Sequence, residues 1–237
     1  MEINFANKLN EWYKINSRDL PWRITNDSYK IWVSEIILQQ TRIDQGTRYY
    51  KNFITEFPNI KKLAESTLDE LLKVCQGIGY YRRIVNMHKC AKIVVRKYNS
   101  NFPSNYDELI NLPGIGDYTA SAISSICSGE SRMVVDGNVI RLFSRLYNLK
   151  YQRHSSKMKK TIKKIGNNEI VKCNPGDFNQ ALMDYGSMIC SPKKYKCDKC
   201  IFSKSCEAFK LDIVDELPVK KKNITIKQRF FNYFVVI

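Results

Sequence analysis

The chain has 237 residues, of which 43% are hydrophobic, so it is long enough to bury a core in one domain or in two compact lobes. Its 39 Lys and Arg residues against 23 Asp and Glu residues give a formal net charge of +16, which favours nucleic acid as a partner, although a basic protein without such a partner has the same composition. No apolar run approaches roughly 18 residues and the first residues carry charges and amides, so we expect no membrane partner and a reducing, cytoplasmic location at the nucleoid.

The pattern from about residue 5 to about residue 210 is helical. Apolar residues recur at intervals of three and four, and Val, Ile and Thr seldom alternate with polar residues as they do in strands. We therefore predict an all-α protein of about ten short helices. Breaks are predicted at Pro58, Gly77, Gly79, Pro103, residues 113–116, Gly129, residues 136–138 and residues 175–176.

Residues 29–41 are predicted to form a helix that carries a carboxylate in apolar surroundings. Glu35 follows Trp32 and Val33 and precedes Ile36. Burial raises the pKa of a carboxyl and lets it hold a proton near neutrality, as a general acid must. The alternative is a Glu at a helix edge that reaches water or an Arg.

Residues 112–116, with the sequence LPGIG, lie between two predicted helices, 105–111 and 117–127. Gly114 and Gly116 would allow a tight turn with positive φ, and amides of the turn and of the next helix N-terminus would face an anion. A DNA phosphate suits such a site. An ordinary interhelical turn is the alternative.

Asp136 begins the motif DGNV, just before an amphipathic run over residues 139–147. As plain structure it would cap the N-terminus of the helix that follows. An Asp-Gly pair can also mark a hairpin turn, but no strand pattern follows it.

Four cysteines, with the spacing C-x6-C-x2-C-x5-C over residues 190–206, predict a metal site. Four thiolates suit either zinc or an iron–sulfur cluster, and the ligands alone do not choose between them. All four positions would be filled by protein, which indicates a structural role. The enclosed loop displays Lys193 and Lys194, which can meet phosphates. The other cysteines lack such spacing and are interpreted as core residues: Cys75, Cys90, Cys127 and Cys173.

The composition changes beyond Cys206. Residues 216–222, with the sequence ELPVKKK, lead into an aromatic and β-branched segment over residues 230–237. Residues 211–237 are therefore predicted to be a linker followed by the first strand of a further domain.

These motifs together resemble those of one enzyme family. WVSE-x3-QQT, LPGIG, VDGNV and the cysteine spacing are similar to the endonuclease III and MutY superfamily of DNA glycosylases, and within it to adenine glycosylases of the MutY type. The resemblance covers residues 5 to about 210. It implies a two-lobed helix-hairpin-helix fold, with a six-helix barrel over residues 24–131 and a second lobe from residues 1–23 and 132–210. It also implies a 4Fe-4S cluster on Cys190, Cys197, Cys200 and Cys206.

The resemblance also implies roles for individual residues. Glu35 matches the acid that protonates the departing adenine, and Asp136 matches the carboxylate that stabilises or traps the sugar cation. Tyr118, Asn138 and Gln180 match further positions at the active site. The segment that lines the adenine pocket is matched by Arg18, Leu20, Trp22 and Arg23, and the side chains wedged into the duplex are matched by Gln39, Gln40 and Tyr80.

Backbone-cleaving relatives carry a Lys nucleophile in the second hairpin helix, where this chain has Tyr118. We therefore expect a monofunctional hydrolase that acts, as a monomer, on adenine mispaired with 8-oxoguanine or guanine in double-stranded DNA. A thymine glycosylase acting on G·T mismatches, and a DNA-binding protein without catalysis, are the alternatives. MutY proteins usually continue into a domain that recognises 8-oxoguanine, so we expect a weakened preference for 8-oxoguanine over guanine here.

Overall fold

The computed structural model describes residues 4–220 and is built from helices over that range. Its α-helices are α1 Phe5–Asn16, α2 Ser28–Ile37, α3 Ile43–Glu56, α4 Ile60–Glu65, α5 Leu68–Val74, α6 Arg82–Lys97, α7 Tyr106–Leu109, α8 Asp117–Cys127, α9 Gly137–Leu146, α10 Ser156–Ile170, α11 Pro175–Met188 and α12 Glu207–Lys210. Three short 3-10 turns follow α11, at Cys197–Lys199, Ser203–Ser205 and Val214–Glu216. No strand occurs in this part of the chain, so the all-α prediction is confirmed. The strand predicted over residues 230–237 lies outside the described residues.

One hydrophobic core forms around α2. Seven of the ten residues of this helix are buried, and Trp32, which is fully buried, packs against Phe102 with ring centroids 4.7 Å apart. Helices α3 to α6 and α8 contribute further apolar side chains to the same cluster. Because α2 is apolar around most of its circumference, it can lie only at the centre of the surrounding helices.

A second core joins the two ends of the helical region. Phe5 of α1 stacks on Phe202 with ring centroids 4.6 Å apart, and apolar residues of α9, α10 and α11 complete the cluster. Val214 and Leu217 pack here as well, so residues 211–220 are not a free linker. Leu20 and Trp22 lie in the first core, although they were assigned to the second lobe. The lobe boundaries themselves stay a prediction.

Helix α2 is shorter than the predicted 29–41. Asp27 caps its start by accepting a hydrogen bond from the Tyr29 N–H at 2.9 Å, and the helix ends at Ile37. The physical reason lies in the last carbonyls: those of Ile36 and Ile37 accept hydrogen bonds from the buried Arg83 guanidinium, at 2.9 and 3.0 Å. The chain then turns, and Gln40 adopts a left-handed conformation with φ +57°.

Within residues 4–220, no helix combines the length and the apolar character needed to cross a membrane.

Candidate active site

A cavity of about 530 Å³ opens where residues of both cores meet. This volume falls in the range of about 300–1,000 Å³ that is typical of ligand pockets. The structure brings together eleven of the residues singled out from the sequence. They are Arg18, Leu20, Trp22, Arg23, Glu35, Gln39, Gln40, Tyr118, Asp136, Asn138 and Gln180.

Glu35 lies two residues before the end of α2 and faces this cavity. Its neighbours in the helix, Ser34 and Ile36, are buried, while Glu35 keeps partial exposure to the cavity. Burial raises the pKa of Glu35 to about 7, and the nearby Asp136 carboxylate adds to the rise. A hydrogen bond from Tyr118 and the positive charge of Arg23 oppose it. Glu35 is therefore a carboxyl that carries a proton for a large fraction of the time at neutral pH.

Asp136 is the N-cap of α9, as the sequence pattern indicated. One of its carboxylate oxygens accepts the Val139 N–H at 2.7 Å, and the other accepts the side-chain amide of Asn138 at 2.7 Å. Burial raises the pKa of Asp136, while these two hydrogen bonds pull it down by stabilising the charged form. Asn138 is held in turn by Arg141, which donates to its side-chain oxygen at 2.8 Å.

Tyr118 stands at the second position of α8 and lies beside Glu35. Its hydroxyl donates a hydrogen bond to the Glu35 carboxyl and lies 3.3 Å from the sulfur of Met183. Burial and both neighbouring carboxylates hold the pKa of Tyr118 well above its ordinary value, so the hydroxyl remains a proton donor at any working pH. The two carboxyls of Glu35 and Asp136 and the neutral phenol of Tyr118 therefore line the same cavity.

Two arginines of the N-terminal segment are fixed by a carboxylate that sequence reasoning missed. Asp184, in the middle of α11, is fully buried and accepts hydrogen bonds from Arg18 Nε at 2.7 Å and from Arg23 Nη1 at 2.6 Å. Burial alone would raise the pKa of Asp184, but the bonds from both guanidinium groups lower it. Its only signal in the sequence is a charge among apolar neighbours, which demands a partner when buried.

The same helix presents Gln180 to the cavity. The Tyr13 hydroxyl of α1 lies 3.0 Å from Gln180 Oε1 and donates to it, which leaves the amide N–H groups of Gln180 free to face a ligand. Met183 and Ser187, which the sequence reasoning did not single out, lie on the same wall of the cavity.

Tyr80 lies outside this cavity, in a second cleft of about 480 Å³ that also includes Gln39, Gln40 and Gly114. Tyr80 is 70% exposed to solvent. Tyr80 and Gln40 both have positive φ, at +49° and +57°. The cleft is therefore flanked by two tight turns that present polar and aromatic side chains to solvent.

The hairpin forms at the predicted place, with one correction. Gly114 has φ +79°, and a Cβ there would lie 2.8 Å from Cβ of Asn86. Gly116 instead has φ −99° and ψ 178°, because it is the N-cap of α8 and takes the extended conformation of that position. Of the two hairpin glycines, Gly114 alone therefore requires the positive φ that glycine adopts without strain.

The four spaced cysteines line one small cavity together with apolar residues such as Leu142 and Val214. Two hydrogen-bond donors reach their sulfurs: Arg145 Nη1 lies 3.4 Å from Cys190 Sγ, and the Tyr185 hydroxyl lies 3.1 Å from Cys200 Sγ. Over residues 4–220, no three His, Cys, Asp or Glu side chains converge closely enough to hold a metal ion. Lys193 and Lys194 are exposed in the intervening loop, away from the large cavity. Cys75 and Cys90 are buried, whereas Cys127 and Cys173 are half-buried against the two cores.

Comparisons with known proteins agree with this geometry. Residues 33–168 match the HhH-GPD superfamily of base excision DNA repair proteins. Adenine DNA glycosylases of Buchnera aphidicola, from subspecies Schizaphis graminum and subspecies Acyrthosiphon pisum, are each 38% identical over 234 residues, which cover 98% of this chain and 67% of the relative. The chain thus spans about two thirds of the length of these relatives. The solved structure of a thermostable thymine-DNA glycosylase is 28% identical, with a TM-score of 0.80 over 87% of this chain and 95% of that chain.

Proposed function

Because this chain belongs to the HhH-GPD superfamily of base excision DNA repair proteins, we propose that it is a monofunctional adenine DNA glycosylase. It would act as a monomer in the cytoplasm, on double-stranded DNA that contains adenine opposite 8-oxoguanine or guanine. The observation that carries the proposal is the pair of carboxyls in one cavity, since Glu35 has a pKa of about 7 and Asp136 is hydrogen-bonded in its charged form.

Glu35 supplies the proton that adenine needs in order to leave. Its carboxyl donates to a ring nitrogen of the base while the bond between that base and the sugar breaks, and the bonding electron pair departs with the base. A group with a pKa near the working pH suits this task, because it holds a proton and releases it readily. Tyr118, which stays protonated, orients the carboxyl through its hydrogen bond.

Asp136 stabilises the positive charge that develops on the sugar. Its carboxylate is fixed by Asn138 and by the Val139 amide, so it cannot turn away as the cation forms. Water then adds its oxygen to the sugar carbon, and the released proton returns to Glu35. The products are free adenine and an abasic site, which balances the hydrolysis.

The remaining lining residues would hold the extruded base. Leu20 and Trp22 offer apolar surface, while the arginines fixed by Asp184 and the amide of Gln180 offer donors to ring nitrogens. Gln39 and Gln40 line both the cavity and the second cleft, and Tyr80 lines the cleft. These three side chains would enter the duplex as the base leaves the stack. The DNA phosphates would be contacted by the hairpin that contains Gly114 and Gly116, and by the exposed side chains of Lys193 and Lys194.

Hydrolysis without strand cleavage is supported by the composition of the cavity. Strand-cleaving glycosylases need an amine that forms a Schiff base with the sugar. Among the described residues that line the cavity there is no Lys, and Tyr118 occupies the corresponding position of α8. The thymine alternative is not favoured, because the relatives with the higher identity are named for adenine.

The cysteines would hold a 4Fe-4S cluster. Four thiols around one cavity match the donor set of such a cluster, and two nearby donors, Arg145 and Tyr185, suit thiolate sulfurs. The cysteine spacing, which is similar to that of the endonuclease III and MutY superfamily, favours such a cluster over a single zinc ion. When bound, the cluster supplies covalent cross-links that fix the loop over residues 190–206 against α9.

Single-turnover release of the base tests the proposal. The purified protein is incubated in excess over duplexes that contain adenine opposite 8-oxoguanine, adenine opposite guanine, or thymine opposite guanine, with Glu35→Gln as the inactive control. Adenine release that disappears in the variant supports the proposal. Thymine release would replace it with the thymine activity, and release from none of the duplexes would leave a DNA-binding protein without catalysis.

A further inference from the structure

Arg83, at the second position of α6, is a buried cation whose acceptors are all uncharged. Its side chain is 8% exposed, and its guanidinium donates hydrogen bonds to four backbone carbonyls and one hydroxyl. The planar fork of Arg can reach several acceptors at once, and here Nη1 and Nη2 make all of the hydrogen bonds while the buried Nε has no partner. The position of these acceptors therefore indicates what the side chain fixes.

Four of the five acceptors lie at the end of α2 or in the turn that follows it. Nη1 donates to the carbonyls of Ile36 and Ile37, at 2.9 and 3.0 Å, and to the carbonyl of Gln39. Nη2 donates to the Thr41 hydroxyl at 3.0 Å. These bonds span the whole turn that carries Gln39 and Gln40.

The remaining acceptor belongs to a different turn. Nη2 also donates to the Ile78 carbonyl at 3.2 Å, two residues before the exposed Tyr80. Tyr80 and Gln40 both have positive φ, which costs about 1–3 kcal/mol for a residue with a side chain and persists only when the surroundings enforce it. One guanidinium thus ties together two turns that are 40 residues apart in sequence and flank the same cleft.

We propose that Arg83 is a positioning residue that holds these two turns as one preformed wedge for base extrusion. This inference rests on the proposed function, because it assigns Gln39, Gln40 and Tyr80 to the duplex. Turns that are already ordered do not have to be ordered at the moment of unstacking, so more of the binding free energy is available for extrusion. Arg83 does not line the active-site cavity, so its removal should leave bond cleavage itself intact.

The test compares an adenine that must be unpaired with one that is already unpaired. Single-turnover rates are measured for adenine opposite guanine and for adenine opposite an abasic-site analogue, because extrusion is easiest for a base without a partner. We expect Arg83→Lys to lower the rate on the paired adenine about 30-fold and the rate on the unpaired adenine less than about 3-fold. Arg96→Gln, an exposed residue in the last turn of the same helix, is the matched control and should change neither rate.

A second variant keeps the test valid if Arg83→Lys does not fold. Thr41→Val removes one acceptor of the guanidinium and should give a smaller fall, about 3-fold, that is again confined to the paired adenine. An equal fall on both substrates would show a merely structural role and overturn the proposal, as would unchanged rates. If the wild-type protein releases adenine from neither duplex, the proposed function fails, and that result is distinct from a failure of the positioning role.

Discussion

The protonation of Glu35 should make both the rate of base release and the folding stability depend on pH. The variant Glu35→Gln, which cannot ionise, tests the effect on stability. The carboxyl is held at a pKa of about 7 against its ordinary value of 4.5, chiefly by burial. The folded protein therefore keeps the proton over a pH range in which the unfolded chain has already lost it. Stability is highest when both states are protonated and falls as pH rises through this range. Gln has the same shape and carries no charge at any pH, so the variant lacks this pH-dependent loss.

The magnitude follows from the two pKa values. Between about pH 5.5 and about pH 9, a shift from 4.5 to about 7 removes about 2 kcal/mol of stability from the wild-type protein. For a chain of this length, about 2 kcal/mol corresponds to roughly 4–8 °C in the melting temperature. We therefore expect the difference in melting temperature between Glu35→Gln and wild type to increase by roughly 4–8 °C from about pH 5.5 to about pH 9. The wild-type rate of adenine release should fall about tenfold per pH unit above about pH 7, as the acid loses its proton.

Thermal denaturation and single-turnover release, both measured over this pH range, check the two expectations together. Glu65→Gln is the control, because Glu65 is exposed on the surface of the first core and should show a melting difference that does not change with pH. A constant difference between Glu35→Gln and wild type would refute the reasoning from burial. A rate that increases through neutral pH would refute the assignment of Glu35 as the acid.

Three further outcomes are expected. Asp184→Asn leaves two half-buried guanidinium groups without their buried carboxylate and should lower the free energy of unfolding by about 1.5–3 kcal/mol, measured by denaturant titration. A change below about 1 kcal/mol would contradict the argument that the burial of Asp184 makes these bonds important. Replacing Lys193 and Lys194 together with Gln should reduce the slope of log affinity against log salt by about 2 for duplex DNA, and an unchanged slope would remove this loop from the interface. Cys197→Ala should purify without iron, by elemental analysis, whereas Cys173→Ala should retain it; iron in both variants would exclude the proposed ligand set.

The local features of the site follow from the sequence because neighbouring residues decide them. Asp136 caps α9 through an amide three residues ahead, and Gly114 turns the hairpin within its own motif. The apolar residues on both sides of Glu35 are also local in sequence, and they predict the raised pKa of its carboxyl that the structure shows. The positive φ predicted for Gly116 was wrong, because this residue is the N-cap of α8 and has an extended backbone conformation.

The contacts that assemble the site depend on the tertiary structure. Asp184 meets Arg18 across 166 residues because α1 packs on α11. Arg83 meets Gln39 across 44 residues because the start of α6 reaches the last carbonyls of α2. No spacing rule relates residues so far apart, since the distance between them is set by which apolar helix faces bury each other. The sequence by itself therefore determined the elements, the caps and the candidate acid. Only helix packing decided which charges pair and where the two turns meet, because a buried charge is stable only beside partners that packing delivers.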